Sequence, residues 1–260
     1  MQEPGMREVT PPTEPLEQSP KYKDLLVNAT FDPNRAIDER TTSVNLGSLE
    51  ETRNELLRDS KGDPQRQEHG KVCYVLPDGK VIIETKTHVG EHLAVVTPID
   101  VRLTPDQSPT AIILGEHNQF IPKRERGQRF VGAVIHTHPA DILPSPEDLA
   151  PLLLADAVPM AYTSVFVITP DRTIIVFRGK STPQLTPEEV ESKKGLWSRQ
   201  VTERMEHVIT PAMNVAEGFD AAVRMNRAMT RQILAKYDLR TFSCSNKEST
   251  LQLTPPQSIL

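Results

Sequence analysis

Between residues 70 and 180 the chain alternates short apolar runs with turn-forming residues, the pattern of β-strands. KVCYVLPDGKVIIET holds two such runs around Pro77-Asp78-Gly79 and predicts a hairpin. HLAVVTPIDVRL and AIILG continue the pattern, although Pro98, Pro105 and Pro109 predict short or edge strands with irregular connections. FVGAVIHTH is a buried strand that runs into polar residues, and AYTSVFVIT and RTIIVFRG flank Pro170-Asp171 as strand, turn and strand. Helical spacing enters at GSLEETRNELLRD, where Leu49, Leu56 and Leu57 follow a Ser48 cap with Glu51 three residues on. It returns at PSPEDLAPLLLADAV, with Pro146 at a first helical position and Ser145 before it. Beyond residue 186, Leu196, Trp197, Val201, Met205 and Val208 form one helical run. Phe219, Val223, Met225, Met229, Ile233 and Leu234 form another, with Pro211 as the break between them. The order of elements predicts an α+β fold, helices packed on a mixed sheet.

Composition changes this picture mainly at the ends. The chain has 260 residues with 37% apolar and 5% aromatic side chains, and 23 prolines. Apolar content is below the usual globular share and proline about double, so part of the chain is expected not to pack. The first twenty residues, MQEPGMREVTPPTEPLEQSP, are acidic and proline-rich, and they predict a tail without a secretory signal. The expected organisation is a disordered or extended tail over 1–42, a main domain over 43–182, a helical extension over 183–240 and a loose C-terminal tail over 241–260. The 30 Lys+Arg against 35 Asp+Glu leave a formal charge of −5, which gives no global attraction for a phosphate backbone. No stretch reaches the roughly 18 apolar residues of a membrane span. Neither nucleic acid nor membrane is an expected partner, and a cytoplasmic location is expected, with signal-less secretion left open. Cys73 and Cys244 have no CxxC partner, so neither a disulfide framework nor a cysteine zinc site is indicated.

Candidate chemistry gathers at Gly132-Ala133-Val134-Ile135-His136-Thr137-His138-Pro139 and the following Ser145-Pro146-Glu147-Asp148. Residues i and i+2 of a strand share a face, so His136 and His138 can aim their rings at one point. Two neutral imidazoles suit a borderline-soft cation such as zinc. Asp148, in the first turn of the next helix, can supply a third ligand, and three protein ligands leave a fourth place for solvent. Hydrolysis of an amide also needs a proton carrier, for which Glu68, Glu84, Glu91 and Glu116 are upstream candidates. Glu68 immediately precedes the first core strand. Ser145, fixed at a helix start, can donate to a developing oxyanion. Each part has a plainer reading: HxH occurs on strands without a metal, Ser-Pro-Glu-Asp is an ordinary helix N-terminus, and Glu68 a solvated loop residue. The remaining histidines, His69, His88, His92, His117 and His207, have no partner at ligand spacing.

A strand ending in HTHP, then a short loop, then SxxD opening a helix, with a Glu before the first of the preceding strands, resembles the JAMM (JAB/MPN-type) zinc metalloprotease family. The resemblance covers about residues 45–180. It implies a JAMM/MPN-like, cytidine-deaminase-like mixed sheet flanked by helices, with His136, His138 and Asp148 as ligands of Zn2+, Ser145 as oxyanion support and Glu68 as catalytic base. Glu84 stands as the rival base. Six residues separate His138 from Ser145 where family members commonly have seven, so a tighter loop is expected. The implied function is a zinc metallopeptidase that cleaves a peptide or isopeptide bond at the C-terminus of ubiquitin or a ubiquitin-like protein. The alternative is a non-catalytic scaffold or partner-binding module of the same fold. The helices over 186–237 have no counterpart in the motif and are expected to shape substrate access or hold a protein partner.

Overall fold

A computed structural model describes residues 19–31, 37–63, 67–76, 78–90, 99–103, 109–114, 119–122, 131–138, 140, 142–155, 161–208 and 213–258. In chain order these form α1 (Tyr22–Phe31), β1 (Ser43–Asn45), α2 (Leu49–Gly62), β2 (His69–Val75), β3 (Val81–Ile83), β4 (His88–Val89), β5 (Ile99–Leu103), β6 (Pro109–Leu114), β7 (Gln119–Pro122) and β8 (Val131–Thr137). Then come α3 (Pro146–Leu153), β9 (Tyr162–Ile168), β10 (Arg172–Arg178), α4 (Pro187–Val208), α5 (Val215–Lys236), β11 (Leu239–Ser245) and β12 (Thr250–Leu253). The main sheet runs β1-β12-β11-β10-β9-β8-β2-β3, with β4 also paired to β2. The β8–β9 pair is parallel and the other pairs of this sheet are antiparallel. The strands β5, β6 and β7 make a separate antiparallel sheet.

Alternation along each strand divides the interior into two layers. Val72 and Tyr74 of β2, Val134 of β8, Val165 and Val167 of β9, and Ile174 and Val176 of β10 join one core with residues of α3, α4 and α5. The intervening Cys73, Val75, Ala133, Ile135, Phe166, Ile168, Ile175 and Phe177 join the other with α1 and α2. The molecule is thus a mixed sheet flanked by helices on both faces, as the order of elements predicts. The expected hairpin is the β2–β3 pair.

Both expected tails contain elements of this fold. Within 1–42, α1 buries Tyr22 and Leu26 completely, with the Tyr22 ring packed edge-on to Phe166 at 5.7 Å. Its apolar face closes the layer over β2, β8 and β9, so burial against the sheet offsets the ordering cost that local composition alone could not meet. Residues 1–18 lie outside the described residues. Within 241–260, β11 and β12 extend the main sheet, and Phe242 and Leu251 are fully buried. The serines and threonines there alternate with these apolar residues, which suits a sheet despite the polar average. The helices of 183–240 likewise belong to the main core, through Val190, Trp197, Met229, Ile233 and Leu234. Ser48 precedes α2 with no side-chain capping bond, unlike the expected cap. Pro211, His92 and His117, and Glu91 and Glu116, lie outside the described residues.

Candidate metal centre

β8 carries Val134 into the layer of α3, α4 and α5, and the same parity sends His136 and His138 to that side. His136 lies opposite Gly70 of β2 and Val167 of β9, and the His138 N–H donates to the Ile168 carbonyl at 2.8 Å, so strand pairing fixes both backbone positions. Continuing the antiparallel β2–β8 register two places sets Glu68 across from His138. The entry to β2 is tied down by His69 N–H donating to Thr137 Oγ1 at 2.9 Å and by Gly90 N–H donating to the Glu68 carbonyl at 2.9 Å. Glu68 is a buried residue, 4% exposed, rather than the solvated loop residue of the plainer reading.

Asp148 comes from the first turn of α3. Ser145 Oγ accepts from Asp148 N–H at 3.1 Å and Ser145 N–H donates to Asp148 Oδ2 at 2.6 Å, a reciprocal capping box with Pro146 at the helix start. The helix-start reading of Ser-Pro-Glu-Asp therefore holds, and the same cap aims the Asp148 carboxylate at the rings. His136 Nε2 is 3.2 Å from Asp148 Oδ1, His138 Nε2 is 3.4 Å from Asp148 Oδ2, and the two Nε2 atoms are 3.1 Å apart. Four ligands about 2.05 Å from a zinc ion at tetrahedral angles stand about 3.3 Å from one another. The 3.1 Å between the two Nε2 atoms is close to that spacing, while Asp148 meets the two rings through different oxygens, Oδ1 toward His136 and Oδ2 toward His138. Glu68 Oε1 stands farther out, 3.8 Å from His138 Nε2, and its ligand atom lies with those of both histidines within 4.8 Å of one another.

The Ile142 carbonyl, four residues on, helps select the His138 ring tautomer. His138 Nδ1 lies 2.9 Å from the Ile142 carbonyl, which accepts only from a protonated nitrogen and so leaves Nε2 with its lone pair toward the cluster. Buried Glu68, His136 and His138 thus group their ligand atoms beside the half-buried Asp148 carboxylate, an arrangement that can hold a cation. Burial raises the Glu68 pKa above the usual carboxylate range, with the imidazoles opposing. For His138 burial acts downward, but Asp148, Glu68 and the Ile142 carbonyl together raise it. Asp148 is held well below the usual range because His136 and His138 outweigh its desolvation.

The cluster opens into a cavity of about 590 Å³ whose lining includes Glu68, His136, His138, Ser145 and Asp148. Ser145 Oγ accepts within the cap, so its own proton is available for a group in this cavity. The rival Glu84 is elsewhere. Its carboxylate accepts from Val72 N–H at 3.2 Å and from Tyr74 O–H at 3.1 Å, and lies 2.8 Å from His88 Nε2. His69 pairs with Asp63 at 3.2 Å, not with the cluster. The motif gives no hint that α5 also walls the cavity, with Phe219, Ala222, Val223 and Asn226. Their i, i+3, i+4, i+7 spacing was the available signal, but a partner for that face could not be named without the fold.

The chain matches no family model, no curated protein and no solved structure.

Proposed function

We propose that this protein is a JAMM-type zinc metallopeptidase that cleaves a peptide or isopeptide bond, with the C-terminus of ubiquitin or a ubiquitin-like protein as its substrate. The observation that carries this reading is the grouping of Glu68, His136 and His138, whose ligand atoms lie within 4.8 Å of one another, with the Asp148 carboxylate against both rings beside an open cavity. The HTHP and SPED resemblance supports the choice of zinc and of a ubiquitin-like substrate. His136, His138 and Asp148 hold the ion: two imidazoles and a carboxylate are a donor set common to catalytic zinc sites. When bound, zinc supplies Lewis acidity that makes a water nucleophilic near neutral pH.

The rest of the work falls to this chain's own side chains. Glu68 takes the proton released as the water oxygen adds to the substrate carbonyl carbon, and delivers it to the nitrogen as the C–N bond breaks. Its standing farther out than Asp148 leaves it free to move that proton. Ser145 donates its hydroxyl proton toward the oxygen that gains charge during attack, an interaction stronger in the transition state than in the ground state. The capping box keeps Ser145 and Asp148 in fixed relation, so the oxyanion donor and the carboxylate ligand are positioned by one helix turn. Among the described residues no helix is long and apolar enough to cross a membrane, and the proposed location is the cytosol.

The test is hydrolysis of ubiquitin-like C-terminal fusions by the zinc-loaded chain beside its Glu68→Gln variant. Cleavage by the native chain, with the variant holding zinc and losing turnover, is expected; full activity of Glu68→Gln would remove the assigned base. Stoichiometric zinc without any cleavage, together with tight partner capture, would instead favour the scaffold reading.

A further inference from the structure

We infer that the cavity beside the candidate metal centre is a subsite for a bulky apolar side chain, aliphatic or aromatic, of a peptide substrate, with α5 as the wall that selects it. The occupant's identity as a peptide rests on the hydrolase reading above. Phe219, Ala222, Val223 and Asn226 form one stripe of α5, and all four line the cavity. Farther along the helix the same stripe continues through Met229 and Ile233, which are 1% and 2% exposed in the protein core. One helix face is therefore closed by protein in its second half and turned toward the cavity in its first. Phe219 remains 51% exposed, a large aromatic side chain not covered by the fold.

Val134 and Val165 supply apolar surface from the sheet side of the same cavity. Its volume, about 590 Å³, accommodates a leucine or aromatic side chain together with neighbouring substrate backbone. A glycine there would leave these apolar faces without a partner. The ionisable side chains in the lining are Glu68, Glu147, Asp148, Tyr162 and the two histidines, with no Lys or Arg among the described lining residues, so an acidic side chain is a poor occupant. Asn226 adds a polar handle. Its Oδ1 has no hydrogen-bond partner among the described residues, and a turn of the carboxamide about its last torsion lets it accept from a substrate N–H. Because His136, His138 and Ser145 line the same cavity, the side chain held there belongs to a residue near the scissile bond, whether or not that residue contributes its carbonyl.

The experiment uses the full-length Glu68→Gln chain with added zinc, which keeps peptides intact, and blocked tetrapeptides that differ at one position by Gly, Leu or Phe. Calorimetric titration is expected to show the Leu or Phe peptide binding at least about tenfold tighter than the Gly peptide, in line with burial of one large apolar side chain. Val223→Asp, at a half-buried position, is expected to erase that difference while zinc content and helicity stay unchanged; Ala222→Trp, which fills the cavity, should do the same. Equal binding of all peptides, no binding of any, or discrimination that survives both substitutions overturns the subsite. Discrimination in this assay with no hydrolysis by the native chain would leave the subsite standing and overturn the hydrolase reading, so the two failures are distinguishable.

Discussion

Two buried carboxylate and imidazole clusters flank β2, and they differ in how many donors reach the carboxylate. Glu84 receives a backbone N–H from Val72 and a hydroxyl from Tyr74, with the His88 ring as a third partner. It is 2% exposed but satisfied, and the Tyr74 pKa is raised, by burial first and by the Glu84 charge next. Around His136 and His138 the balance is reversed. The His138 Nδ1 faces the Ile142 carbonyl, Asp148 Oδ2 receives the Ser145 N–H, and the two Nε2 atoms stand 3.1 Å from each other and 3.2 and 3.4 Å from the Asp148 oxygens. A buried carboxylate supplied with backbone and hydroxyl donors is a structural device; two histidines and a glutamate drawn to within 4.8 Å of one another can hold a cation. Residue type does not separate the two clusters, since each has Glu and His. Their hydrogen-bond accounting does.

That contrast is open to attack from both sides. The largest effect is expected from His136→Ala or Asp148→Ala, which should reduce zinc content to near zero and remove hydrolysis, as read by elemental analysis and a fusion-cleavage assay. Glu68→Gln should retain zinc and lower turnover by about 10²–10⁴-fold, the usual range for a positioned proton carrier. Ser145→Ala should cost about 10²-fold in kcat through the lost oxyanion donor, and about 1 kcal/mol of stability through the lost cap, measured by steady-state kinetics and urea unfolding. Glu84→Gln should leave zinc content and kcat unchanged but destabilise the fold by about 1–3 kcal/mol, because its carboxamide meets two committed donors. The smallest effect concerns the thiols. Burial pushes Cys73 up to about 12 and Cys244 up to about 11, so both stay protonated and alkylation of the folded chain at pH 8 should be negligible. Since these folded values lie above the ordinary 9.0, the unfolded chain releases its thiol protons first. Stability should then fall as pH rises from 9 toward 11.

Sequence periodicity reaches unequally into the two clusters. The i, i+2 relation of His136 and His138 needs only a strand, and the Ser145 to Asp148 cap needs only a helix start, so both follow from local pattern. Glu68 is different: its place across from His138 depends on the β2–β8 register, which joins residues 68 positions apart at the His69 to Thr137 bond. Position just before the first core strand favours Glu68 over Glu84, but it is the pairing of strands that brings one to the histidines and leaves the other at Tyr74. Elements at the two ends are hidden for a related reason. The α1 face gains from burial only when the sheet is present to receive Tyr22 and Leu26, and β11 alternates Phe242 and Cys244 with hydroxyl residues that lower its average hydropathy. Trp197, Met229 and Ile233 show that α4 and α5 have apolar faces. Spacing alone does not say that these faces cover the main sheet and, in the first half of α5, the cavity.

The most direct measurement is zinc uptake by the native chain, His136→Ala and Glu84→Gln in competition with a chromophoric chelator. One tightly held equivalent is expected in the native chain and in Glu84→Gln, with none in His136→Ala. Equal uptake by all three, or loss of uptake in Glu84→Gln with retention in His136→Ala, would contradict a cation site built on the two histidines and the carboxylates beside them.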